Sequence, residues 1–198
     1  MKLGVIVAAL VLALAGAGAA QSPGQTKPAP KTPDFKVDVA GDLVADFHAR
    51  ITAYAKLRAA LEEGLPKLAV TDNPTEISIA EAALAVRIRN ARAGAGRGAI
   101  FSRSIRAAFR QLLRLETNPN TCAAVLDENP GKFSYRINGA YPKTKSLSTV
   151  PPGILAALPR LPADVNYRFI DRDLILHDTR ANVILDRIED AIRCPWKQ

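Results

Sequence analysis

Arginine is the residue type whose number and spacing could do chemistry in this chain. Between Ala82 and Leu115 stand eight of them, Arg87, Arg89, Arg92, Arg97, Arg103, Arg106, Arg110 and Arg114, with no acidic residue in the interval. A guanidinium is planar, permanently charged and able to grip a carboxylate or phosphate through two parallel hydrogen bonds. Arg103, Arg106, Arg110 and Arg114 recur at helical spacing, and these four form the candidate anion-binding set. The alternative is internal: Asp38, Asp42, Asp46, Glu62 and Glu63 could pair with the same arginines and leave only a solvated helix surface.

Other reactive groups are sparse. His48 and His177 are the only histidines. His177, with Asp178 beside it, is the one candidate for general-base work, and so for an enzyme of unknown type; packing and hydrogen bonding at a hairpin end is the other reading. Asp171, Asp173, Asp178 and Asp186 cluster in sequence, but without EF-hand spacing they read as turn caps. With one histidine per region and no closely spaced pair of thiols, a zinc site lacks ligands at the needed spacing, and no Gly-x-Ser-x-Gly elbow or Ser-x-x-Lys pair is present. The Gly94-x-Gly96-x-Gly98 joint lacks the Walker lysine and follows no strand, so it reads as a helix connector. No metal and no cofactor is expected.

The start of the chain sets the compartment. Lys2, the apolar run Leu3 to Ala15 and the small residues Ala17-Gly18-Ala19-Ala20 have the form of an export signal over 1–20. The run is short for a membrane span, although an uncleaved anchor is the alternative. The expected location is therefore periplasmic or secreted. There, Cys122 and Cys194 can pair in only one way within the chain, with free thiols as the other possibility. A formal charge of +8 favours anionic partners: an envelope component such as lipid headgroups or surface polysaccharide, or an acidic protein. Nucleic acid is a poor candidate once the protein has left the cytoplasm.

The elements that must position these groups are legible as an α+β succession. Residues 21–36 form a proline-rich spacer, and 37–198 a single domain, helical over 37–118 and mainly β over 130–192. Leu43, Phe47, Ile51, Tyr54, Leu57, Leu61, Leu65 and Leu68 predict one long amphipathic helix, broken near Pro66. Ser78-x-x-Glu81 has the form of a capping box opening an alanine-rich helix to about Ala93. A third helix runs from near Ser102 to Glu116, with Ile105, Phe109 and Leu112 as its apolar stripe and the four arginines opposite. Phe133 to Ile137 alternates before Asn138-Gly139, predicting a hairpin that returns through Tyr141. A short helix follows through Leu158. Strands are then expected over Val165 to Ile170 and Asp173 to His177, and to about Ile188 in the ambiguous run from Ala181. The chain should thus be a bundle of about three helices followed by a small antiparallel meander.

The passages Leu158-Pro159-Arg160-Leu161-Pro162, Tyr167-Arg168-Phe169-Ile170-Asp171-Arg172-Asp173-Leu174-Ile175-Leu176 and Ala181-Asn182-Val183-Ile184-Leu185-Asp186 resemble those of a family of exported bacterial proteins without an assigned activity. Gly98-Ala99-Ile100-Phe101, Phe109-Arg110-Gln111-Leu112-Leu113, Asn138-Gly139-Ala140-Tyr141-Pro142 and Ser148-Thr149-Val150-Pro151-Pro152 are similar to further stretches of that family. Ala99 stands where the family pattern has an acidic residue, and Asp171 where its hairpin turn has Gly, which implies a more strained turn. The resemblance implies export and a shared fold, and brings no catalytic residues with it.

Overall fold

Apolar residues at spacings of three and four become α1 (Phe35–Glu63), whose Phe47, Ile51 and Tyr54 are buried. The computed structural model describes residues 35–65 and 72–194, with side chains from 41 onward. The expected export signal, nearly all of the proline-rich spacer, the break at Pro66 and Leu68 lie outside those residues. After α1 come α2 (Pro74–Ala91), α3 (Arg103–Glu116), α4 (Pro119–Asp127), α5 (Pro152–Ala157), and then β1 (Val165–Ile170), β2 (Asp173–Asp178) and β3 (Val183–Ile188). The fold is α+β: helices first, then a three-stranded antiparallel sheet in the order β1-β2-β3. Among the described residues no helix is long and apolar enough to cross a membrane.

Local chemistry explains where the sequence reading moves. α2 starts four residues before the expected capping box, because Asn73 accepts from the Thr75 N–H at 3.0 Å and Pro74 fits the first helical position. Ser78 therefore lies inside the helix. α4 was not anticipated at all. Its signal is the same pair again, Asn118 capping the Thr121 N–H at 3.0 Å with Pro119 next in the chain.

The predicted hairpin at Phe133–Tyr141 does not form. Its Asn138-Gly139 turn exists, with Asn138 at φ 60° and the Gly139 N–H donating to Arg136 at 3.0 Å. However, the turn docks on β3: Asn138 N–H donates to the Ile184 carbonyl at 2.8 Å, and Ile184 N–H to that of Gly139 at 2.9 Å. Phe133, Tyr135 and Tyr141 instead cover one face of the sheet, over Ile170, Ile175 and Ile184. A third layer won over a fourth strand because the sheet is apolar on both faces.

The opposite face carries Val165, Tyr167, Phe169, Leu174, Leu176, Val183 and Ile188 against the helices. Phe47 of α1 is the hub, with ring centroids 5.8 Å from Phe101, 5.2 Å from Phe109 and 6.5 Å from Tyr167. β2 and β3 slip register between Leu176 and His177, so that Leu176 faces Asp186 while His177 faces Ile184. The extra residue, Leu185, is a bulge that turns Asp186 toward the helical side. Cys122 of α4 and Cys194 lie within bonding distance, their Cα atoms 5.4 Å apart.

Candidate functional site

Placing α3 on a wheel of about 100° per residue locates its arginines. The buried stripe is Ile105, Phe109 and Leu113, one position away from the expected Leu112, which is only half-buried. Arg106 and Arg110 lie about 60° and 100° around from that stripe, on its flank, and Arg103 and Arg114 about 120° and 140° around, toward the outward side. The fully outward side is Ser104, Ala107, Gln111 and Leu115. Flanking positions explain the burial: Arg106 and Arg110 are half-buried at the protein edge, whereas Arg103 and Arg114 are exposed.

Main-chain carbonyls hold the two middle arginines. Arg106 Nη1 donates to Phe101 O at 2.6 Å, and Arg110 donates through Nε and Nη2 to Glu189 O at 3.1 and 2.8 Å. Among the described residues no carboxylate lies within 4.0 Å of any of the four. The internal pairing with α1 does not occur at the described positions: Asp46 pairs with Arg50, and Glu62 with Arg180. A carbonyl fixes a guanidinium in direction and leaves its full charge. The N-terminal turn of α3, capped by Ser102 and free of acids, adds the positive end of the helix dipole.

The remaining arginines of the stretch have other tasks. Arg87 crosses to the Leu61 carbonyl at 3.0 Å and the Gly64 carbonyl at 2.6 Å, tying α2 to the end of α1. Arg92 is buried; it donates to Asn138 Oδ1 at 3.0 Å and Leu185 O at 2.9 Å, with its guanidinium 5.2 Å from the Tyr54 ring centroid. Arg97, on the glycine-rich joint, pairs with Glu189 at 2.7 Å. The joint is far from slack. Asp186, fully buried, accepts from the Ile100 and Phe101 N–H groups at 2.8 Å each and from that of Gly98. These main-chain donors converge on a side chain of the same molecule, which accounts for the loop without any phosphate.

His177 and Asp178 are neighbours in sequence and face opposite sides of the sheet. The His177 ring lies 5.2 Å from Tyr141 and is 3% exposed. Arg168 Nε can only donate, so His177 Nδ1 accepts from it at 3.2 Å and Nε2 carries the hydrogen toward Asn182 Oδ1 at 2.9 Å. Burial first, and the Arg168 charge after it, push the imidazole below its ordinary pKa, against the Asn182 bond that raises it. Asp178, fully buried, looks toward α1: the Tyr54 hydroxyl donates to it, as does Arg58 Nη1 at 3.2 Å. Its second oxygen caps the β2–β3 turn, taking the Arg180 and Ala181 N–H groups at 2.9 Å each. Burial, then the Asp178 charge, raise the Tyr54 hydroxyl far above its ordinary range and keep it a donor. The geometry gives both residues structural partners and brings no acid–base pair together.

The aspartate cluster also disperses. Asp173 takes the Tyr135 hydroxyl at 2.5 Å and the Asp190 N–H at 3.0 Å, and Asp171 offers its backbone to Asn129. Among the described residues no group of three or more His, Cys, Asp or Glu is placed to hold a metal ion. Sequence reasoning missed Glu189, on which Arg97, Arg110 and Arg187 converge; it lies 79 residues from Arg110, and no local signal marks it. Set against known proteins, the chain matches no protein-family model, no curated protein and no solved structure.

Proposed function

We propose that this protein is an exported, non-enzymatic binding module that meets an anionic envelope component or an acidic protein through the α3 face of Arg103, Arg106, Arg110 and Arg114. One observation carries the reading: Arg106 and Arg110 are held by carbonyl oxygens, so their direction is fixed and their charge is not cancelled. A pre-oriented guanidinium loses little freedom when it grips an anion. Export is supported by the signal-like first twenty residues, by the resemblance to an exported family and by two cysteines within bonding distance.

Retention on heparin and on anionic liposomes tests the proposal. Wild type should elute at roughly 100–200 mM higher salt than R103Q/R106Q/R110Q/R114Q, the order expected when several phosphate-type contacts are lost. R103Q/R114Q, which touches no hydrogen bond among the described residues, should elute between the two. Identical elution of all three proteins would remove the proposal.

A further inference from the structure

Glu189 occupies the point where three arginines from separate parts of the chain meet. Its carboxylate takes Arg97 Nη1 at 2.7 Å on one oxygen and Arg187 Nη2 at 2.6 Å on the other. Its main-chain carbonyl takes both donors of Arg110. Two guanidiniums therefore share a single carboxylate, with a third held on the same residue's backbone, while the Asp173 charge also acts on Arg187. Nearby Asp173 already serves the Tyr135 hydroxyl and the Asp190 N–H, so it does not complete the count. Arg187 Nε is buried with no hydrogen-bond partner, and its guanidinium lies 5.3 Å from the Tyr135 ring centroid. Hydrogen-bond donors are thus in excess of acceptors here. The site is also reachable: the side chains of Arg97 and Glu189 are 45% and 33% exposed.

We infer that the Glu189 carboxylate is a built-in substitute for a ligand's oxyanion. A carboxylate or phosphate group displaces it and takes its two guanidiniums, Arg97 and Arg187, while Arg110 keeps the turn in place. The inference rests on the anion-binding reading of the α3 face and adds a discrete site with its own internal competitor. Displacement is feasible because a half-exposed ion pair is weak in water and is screened by salt. The displaced glutamate lies in the turn after β3, where its side chain is already one-third exposed and has solvent to swing into, while Arg110 anchors its backbone.

Titration with inorganic phosphate and with succinate, followed by the side-chain nitrogen resonances of arginine, tests this directly. E189Q keeps the side-chain shape but removes the competing charge, and it should bind at least one of the two anions roughly five- to tenfold more tightly than wild type. Adding R97Q/R187Q to E189Q should abolish the gain. In wild type, saturating anion should move the Arg97 and Arg187 resonances and leave those of Arg87 unmoved. Unchanged affinity of E189Q for both anions, a gain that survives R97Q/R187Q, or unmoved wild-type resonances would each overturn the inference. A tighter E189Q whose heparin retention ignores the α3 arginines would sink the α3 proposal alone. The reverse pattern would leave the α3 face standing without this site.

Discussion

Burial decides the charge of His177, and so a part of how stability responds to acid. The unfolded chain takes up a proton on this side chain as pH falls through about 6.5. The folded chain resists, because protonated Nδ1 would point a hydrogen at Arg168 Nε inside a desolvated pocket. With the folded pKa below the unfolded one, stability is full above the unfolded value and declines as pH drops beneath it, by at most about 1.4 kcal/mol per pH unit. Between pH 7 and pH 5 the unfolding free energy should therefore fall in wild type, and fall less steeply in H177Q. Parallel slopes in urea titrations of the two proteins would refute this account. The same scale explains why Asp178 and Asp186 cannot be spare acids: each is fully buried and fully engaged.

Elements, rather than residues, show where the sequence was readable. α1, α3 and the first two strands were legible because their apolar residues keep one period, 3.6 or 2, whereas β3, buried at nearly every position, read equally as helix or strand. α4 was not, since its nine residues carry little periodicity and its start is marked only by Asn118-Pro119. The false hairpin at Phe133–Tyr141 had correct turn chemistry and a wrong partner, and partner choice is tertiary information. Of the candidate site, the four arginines could be read from spacing, whereas the carbonyls that hold them, at Phe101 and Glu189, could not. Turns were legible only in part: Asn138 and Asp171 stood out, while Asp164, Asn182 and Asp190 adopt the same positive φ without a local signal beyond being Asn or Asp, the side chains that best tolerate that region. Asp171, at φ 52°, joins β1 to β2 while Asn129 holds its N–H and carbonyl, both at 2.9 Å. Glycine would keep both bonds and relieve the strain. D171G should therefore gain about 0.5–1 kcal/mol after its extra unfolded-state entropy is subtracted. A lower melting temperature for D171G would contradict it.

At the scale of the whole molecule, the Cys122–Cys194 link joins the short α4 to the segment after β3, across a sequence separation of 72. Closing so long a loop restricts the unfolded ensemble by about 4 kcal/mol on chain entropy. Reduction, or C122S/C194S, should lower the unfolding free energy by about 2–4 kcal/mol, seen as an earlier urea midpoint with dithiothreitol than without. Coincident midpoints would mean that the thiols are not joined. The borders of the sheet carry a separate consequence. β3 is sealed by the Asn138–Ala140 turn and by Arg92, and at mid-β1 the Ser148 hydroxyl both donates to the Phe169 carbonyl and accepts from its N–H. A three-stranded sheet this apolar would otherwise be a seed for strand-by-strand polymerisation between molecules. Covered along β3 and at the middle of β1, it leaves fewer bare main-chain groups on which a neighbouring molecule's strand could build.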